Sequence, residues 1–224
     1  SGEAAKAGDS FKIAHATARF WDKDAADAAY ARVKGAKTAT VTAVTHNSTT
    51  QKVPAPFNTT SLQAAAASEG ISPARTMRLA ESLYMSGLVS YPRVDNTVYP
   101  SSLDLRACVR TLSSVPQYAS ACKGILGQQK LHPTRGKTED TDHPPIYPPA
   151  AANPDDLQPA EWKLYTLIAR RFLATLMDPA VTDHTKVSLD VSGEPFSASG
   201  SVLVKPGFKA VYPYGQKKDD LLPA

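Results

Sequence analysis

Two prolines one residue apart, in Val53-Pro54-Ala55-Pro56, set the strongest local limit on what this chain can fold into, because neither a helix nor a central strand continues through them. The hydrophobic period changes across them. Before them, Phe11, Ile13 and His15 alternate with Lys12 and Ala14, and the β-branched run 38–44 alternates in the same way, so both predict strands. Between these strands the Ala-rich and charged stretch 22–33 predicts a short helix ended at Gly35.

After the prolines the pattern is helical. Thr59 or Thr60 can cap a helix that runs through Leu62 and 64–67 and stops at Gly70. Ser72 followed by Pro73 has the form of a second helix start, whose Met77, Ala80 and Tyr84 are expected to face inward before Gly87 ends it. A third helix over 102–112 would bury Leu105, Cys108, Val109 and Leu112. Residues 123–156, rich in Gly, Pro and charge, read mostly as loop, with 142–149 the most constrained part. The clearest helix is 159–177, with Trp162, Tyr165, Ile168 or Ala169, Phe172 and Leu176 on one face and Asp178-Pro179 as its stop. The tail returns to alternation: Thr185, Val187, Leu189 and Val191, a turn at Ser192-Gly193-Glu194-Pro195, then Phe196, Ala198, Val202 and Val204. The expected fold is therefore α+β, with a helical domain over 57–178 inserted into a discontinuous β-rich domain made of 9–56 and 179–224. Two short helices leading into an extended segment suggest a helix-turn-helix-like unit.

With 224 residues, 42% of them hydrophobic, the chain can bury a normal core as one large domain or two small ones. No apolar run approaches the roughly 20 residues that span a bilayer, and the polar, Ala-rich start is not a signal peptide, so a soluble cytoplasmic protein is expected. Cys108 and Cys122 fit no metal spacing and no disulfide framework, which makes a reduced compartment the default and leaves a bond between the two open. A net charge of +4, from 25 basic and 21 acidic residues, permits nucleic-acid binding without requiring it.

The stretch that carries chemistry is Ser86-Gly87-Leu88-Val89-Ser90-Tyr91-Pro92-Arg93-Val94-Asp95-Asn96-Thr97. Pro92 pushes Tyr91 out of helical geometry, so the segment is extended. Tyr91, Arg93 and Asp95 then share one face and Pro92 and Val94 the other. A phenol beside a guanidinium suits attack on a phosphodiester, the first as nucleophile and the second gripping phosphate oxygens at two points. The plainer alternatives are a packed tyrosine and an Arg93–Asp95 salt bridge. His143, held extended by Pro144, is by itself a loop histidine satisfied by a neighbouring carboxylate. Glu139-Asp140-Thr141-Asp142 beside it reads as a solvated acidic loop rather than an oxygen-rich metal site.

Three stretches in order, Pro54-Ala55-Pro56-Phe57-Asn58-Thr59-Thr60-Ser61-Leu62-Gln63, then 80–93 through Tyr91-Pro92-Arg93, then Asp142-His143-Pro144-Pro145-Ile146-Tyr147-Pro148, closely resemble the type IA DNA topoisomerases. The Tyr91-Pro92-Arg93-Val94-Asp95-Asn96-Thr97 form looks most like archaeal members. The resemblance implies that Tyr91 attacks single-stranded DNA, takes the 5′-phosphoryl group and releases a 3′-hydroxyl, with religation needing no ATP. It makes Arg93 and His143 contacts of the scissile phosphate and places Asn58, Thr59, Ser61 and Gln63 in a DNA-binding motif. It also implies a β-rich arch carrying the tyrosine domain. The partner would be single-stranded segments of negatively supercoiled DNA, met by a monomer with no membrane association. In the family Mg²⁺ is held by a separate acidic Toprim domain with a Glu and an Asp-x-Asp pair; no Asp-x-Asp-x-Asp occurs here, so the chain is expected to be a fragment, inactive alone and holding no metal. The competing expectations are a non-catalytic helix-turn-helix-type single-stranded nucleic-acid-binding module, in which Tyr91 merely stacks on a base, and a structural scaffold.

Overall fold

The computed structural model describes residues 2–6, 9–140, 142–215 and 222. These fall into two compact units, one from the described residues within 1–51, 181–205 and 217–224, the other from those within 52–180 and 206–216.

The first unit is a five-stranded sheet in the order β1-β2-β5-β4-β3, built from β1 (Gly2–Lys6), β2 (Asp9–His15), β3 (Thr40–Gln51), β4 (Ala180–Val191) and β5 (Glu194–Lys205). The β4–β5 hairpin turns at Ser192 and Gly193, both at positive φ (54° and 83°). That is the two-residue turn whose twist matches the flanking strands. β2 joins β5 through Ala14↔Ser197 and His15↔Phe196, and β3 lies along β4 with His46 beside Thr185 and Ser48 beside Asp183. Ile13, Leu189, Val191, Phe196 and Ala198 form the core of one sheet face, with Val33 packed against it. Val33 ends α1 (Lys23–Val33), whose N-cap Asp22 accepts from Asp24 N–H and whose exit uses Gly35 at φ 87°. Under α1, Glu194 is 7% exposed and receives hydrogen bonds from His15 and Arg32. Thr17 N–H donates to His15 Nδ1, so His15 meets Glu194 as the Nε2–H tautomer at 2.8 Å.

The strand expected at 38–44 runs instead over Thr40–Gln51, and all twelve of its residues are exposed. Its second half, His46-Asn47-Ser48-Thr49-Thr50-Gln51, carries no apolar alternation; pairing to β4 alone extends it.

The second unit holds α2 (Thr59–Ser68), α3 (Pro73–Met85), α4 (Leu105–Leu112), α5 (Ala119–Leu126) and α6 (Pro159–Ala174). α6 is its centre: Leu164, Tyr165, Ile168 and Phe172 are at most 1% exposed, and α2, α3 and α5 pack on it. Several local expectations shift. The cap of α2 is Asn58, not Thr59 or Thr60, because Asn58 and Ser61 close a reciprocal capping box. Tyr84, expected inward, is 42% exposed on α3. α4 begins at Leu105 rather than 102, with Asp104 accepting from Ala107 N–H. α5 occupies part of what read as loop; its eight residues are too few to show a period, and it starts directly from a 3₁₀ turn at Pro116–Tyr118. Residues 206–215, grouped with the β domain from the sequence, belong to this unit: Phe208 N–H donates to Asp178 O, and Arg171 donates to the Tyr212 hydroxyl.

Cys108 and Cys122 are both free and buried, and burial pushes the Cys122 thiol up to about 11. No helix among the described residues is long and apolar enough to cross a membrane.

Candidate active site

α3 delivers the chain into the tyrosine-bearing segment. Gly87 (φ 72°) ends the helix in the left-handed region, with Gly87 N–H donating to Tyr84 O and Leu88 N–H to Leu83 O, a closure that needs a residue without a Cβ penalty. From Tyr91 to Asn96 the exposure alternates: Tyr91, Arg93 and Asp95 lie on the open face, and Pro92, Val94 and Asn96 are buried. This is the facing that Pro92 and extended geometry dictate.

Hydrogen bonds strap the segment on both sides. Thr59 N–H donates to Val94 O (2.9 Å), Thr59 Oγ1 accepts from Val94 N–H (2.8 Å), and its hydroxyl donates to Pro92 O (2.7 Å). Asn58 Nδ2 reaches Asp95 O at 3.4 Å. On the other side Ser90 N–H donates to Tyr147 O (2.9 Å), Tyr147 N–H to Ser90 Oγ (3.0 Å), and Phe57 bridges Ile146. Asn96, only 2% exposed, donates through Nδ2 to Asp140 O (2.7 Å) and His143 O (2.9 Å) while Oδ1 accepts from Val98 N–H (2.8 Å). Thr97 pairs with Thr138 and accepts from Gly136 N–H. Gly136 approaches so closely that a Cβ there would sit 2.2 Å from Thr97 Oγ1.

The result is a fixed Tyr91, 36% exposed, between two rings: Tyr84 edge-on at 5.5 Å between centroids and His143 tilted at 5.0 Å. Among the described residues no hydrogen bond engages the Tyr91 hydroxyl. Arg93, on the same face, donates from Nε (2.8 Å) and Nη2 (2.5 Å) to Glu81 Oε1. Glu81, not Asp95, is thus the carboxylate partner of Arg93, because the guanidinium reaches back over the last turns of α3. Both side chains of the pair are about half exposed, so the pair is worth no more than about 1 kcal/mol and Arg93 is readily redirected.

The structure therefore brings Tyr91 and His143 together and leaves Arg93 beside them in a weak pair. Asn58, Thr59 and Ser61 spend their side-chain hydrogen bonds on the α2 cap and the tyrosine-bearing segment, whereas the half-buried Gln63 makes no side-chain hydrogen bond among the described residues. Thr141 of the acidic loop lies outside the described residues; Asp140 Oδ1 accepts from Asp142 N–H within that loop. Among the described residues no three His, Cys, Asp or Glu side chains are arranged to hold a metal ion. Sequence reasoning gave no site role to Asn96, Glu81 or Gly136, and expected Tyr84 in the core rather than beside Tyr91. Asn96 had a signal: it is a polar residue at an inward position of an alternating segment, and such a residue needs partners.

A sequence profile of the family described as DNA topoisomerase matches residues 2–224. The chain is similar to DNA topoisomerase 1 of Archaeoglobus fulgidus, 41% identical over 211 residues that make up 94% of this chain and 31% of that protein. It is similar to DNA topoisomerase 1 of Thermoplasma acidophilum at 38% (90% of this chain, 26% of that one), and to DNA topoisomerase 3 of Dictyostelium discoideum at 36% (92% and 25%). Its fold matches the solved full-length topoisomerase I of Thermotoga maritima with a TM-score of 0.67, at 21% identity, over 96% of this chain and 36% of that structure. The chain thus spans about a quarter to a third of the length of these relatives. A match along nearly the whole sequence, joined to relatives that agree at 36–41% identity, places this chain in the type IA DNA topoisomerase family.

Proposed function

We propose that this chain supplies the nucleophile of a type IA topoisomerase of archaeal type, with Tyr91 attacking a phosphodiester of single-stranded DNA. The observation that carries the proposal is a half-exposed phenol with no hydrogen bond at its oxygen among the described residues, held between Tyr84 and His143 on a segment strapped from both sides. Tyr91 Oη forms a bond to phosphorus as the P–O3′ bond breaks, leaving a 5′-phosphotyrosine and a 3′-hydroxyl; the phenolic proton departs and the leaving oxygen gains one. The reverse reaction reseals the strand. Since a free phenol has a pKa of about 10, charge must be stabilised at the phosphate. Arg93 turns from Glu81 to take two phosphate oxygens, and His143 donates a hydrogen bond to the same group. Gln63 is the member of the first motif available to touch DNA, while Asn58, Thr59 and Ser61 serve by holding the segment. α2 and α3 act as the helix-turn-helix-like platform, and the sheet of the first unit as part of the arch.

In the longer polypeptide this activity relaxes negative supercoils by cleavage, strand passage and religation, as a cytoplasmic monomer. The Mg²⁺ and Toprim domain implied by the resemblance find no fitting side-chain set among the described residues, and no step above runs through them. Because the resemblance assigns the metal and further cationic and acidic groups to a Toprim domain, the 224-residue chain alone is expected to form no adduct. The test is Tyr91→Phe in a polypeptide joining this chain to the rest of the length its relatives have. Relaxation and the covalent DNA adduct should vanish while single-strand binding persists, because only the attacking oxygen is lost. An adduct that survives in the Phe variant refutes the assignment.

A further inference from the structure

We propose that residues 19–34 of the β-rich unit form a second single-stranded DNA contact, in which Trp21 and Tyr30 stack bases and Arg19 and Lys34 meet the flanking phosphates. The proposal is independent of the chemistry assigned to Tyr91, which lies in the other unit.

Trp21 is 84% exposed, immediately before α1, and Tyr30 on α1 is 61% exposed. Each aromatic ring has its own cation. The Arg19 guanidinium lies 4.1 Å from the indole centroid and the Lys34 ammonium 6.0 Å from the Tyr30 ring. Arg19 covers one indole face, and at this exposure the other is open. The backbone that carries the indole is set on both sides. Phe20 on one side turns inward against the His15 ring (5.0 Å), and Asp22 on the other caps α1. A backbone set in advance has little left to order when a base settles on the ring.

The charges favour a nucleic acid that is gripped mainly by stacking. Among the described residues neither Arg19 nor Lys34 pairs with a carboxylate, whereas Arg32 of the same helix is engaged by Glu194. Asp22, Asp24 and Asp27 on the segment keep its net charge small, which disfavours an anionic lipid surface and limits phosphate contacts to one or two. An acidic peptide would need the cations and not the open rings. Single-stranded DNA uses both, since every base offers a π-face and every link a phosphate.

The experiment titrates the 224-residue chain and its Trp21→Phe variant with oligothymidylate, with an abasic oligonucleotide of the same length, and with polyglutamate. Tryptophan emission and the anisotropy of a labelled oligonucleotide are followed together. The difference between the two proteins isolates Trp21. Oligothymidylate should quench that component, the abasic strand and polyglutamate should not, and the double variant Tyr91→Phe/Arg93→Ala should quench it as well as the native chain. Trp21→Ala should weaken oligothymidylate binding about tenfold in the double-variant background, with a salt dependence of only one or two phosphates. Unchanged Trp21 emission while anisotropy reports bound oligothymidylate overturns the inference and leaves the Tyr91 proposal standing. Equal quenching by the abasic strand or by polyglutamate overturns it too.

Discussion

Asn96 should be the most sensitive polar position in the tyrosine-bearing unit. Asn96→Ala leaves the buried Val98 N–H without an acceptor, a cost of about 1–3 kcal/mol, and frees the carbonyls of Asp140 and His143. Those two residues are exposed, so water replaces much of what they lose and the pair adds only about 1 kcal/mol. The expected destabilisation is therefore about 2–4 kcal/mol. Asn96→Asp keeps the acceptor for Val98 but turns a carboxylate oxygen toward two carbonyl oxygens, so at pH 7 it should be worse than Ala. Its deficit has a defined pH sense. The introduced carboxyl has a raised pKa in the folded state, so the deficit is smallest below the unfolded value of about 3.9 and grows as pH rises through the folded one. Urea unfolding followed by Trp162 emission in a Trp21→Phe background reports this unit alone. Wild-type stability for Asn96→Ala, or an Asp variant that equals Ala at pH 7, would refute the idea that Asn96 ties the His143 loop to the tyrosine segment.

Glu81→Gln should barely alter stability, by less than about 1 kcal/mol, yet strengthen oligonucleotide binding at low salt by releasing Arg93, as measured by anisotropy with and without Arg93→Ala. Arg93→Lys in the longer polypeptide should lower cleavage well below wild type on a denaturing gel, since an ammonium lacks the planar two-point grip. Gly136→Ala, with its Cβ driven onto Thr97, should cost about 1–3 kcal/mol in urea unfolding, whereas Gly124→Ala in α5, where a Cβ meets nothing, should be neutral or stabilising. The hydrogen bonds from His15 and then Arg32 hold the Glu194 carboxyl below the usual range, so their stabilisation is present above the unfolded glutamate value and is lost as pH falls through the folded one. Glu194→Gln should flatten that acid limb of the β-rich unit, followed by Trp21 emission in a Trp162→Phe background.

The parts of this chain that were legible in the sequence are those where one local rule dominates. Pro92 made the tyrosine segment extended, and the alternation of exposure from Tyr91 to Asn96 follows from that one residue. The proline pair at 54 and 56 lies just beyond the point where the chain leaves the sheet unit. α6 was long enough for its period to speak. What stayed hidden depends on partners far away in sequence. Glu81 was out of view as the partner of Arg93 because Asp95 is nearer along the chain. Asn58 displaced Thr59 as helix cap once Thr59 was needed to hold Pro92 and Val94. The second half of β3 has no pattern of its own and exists through β4.

The sheet closes over a long separation, His15 bonding Glu194 179 positions later. At roughly 5–20 residues per second of synthesis, β2 waits on the order of ten to forty seconds for β5, and β3 almost as long for β4. The helical unit, nearly all of it the contiguous run 52–180, can close during that wait. Throughout it β3 is an unpaired strand in a crowded cell, the situation that most invites pairing with other chains. Its threonines, His46, Asn47, Ser48 and Gln51 give it no continuous apolar face to offer a stranger. The polarity that hid the second half of this strand from the sequence is then that half's protection during birth.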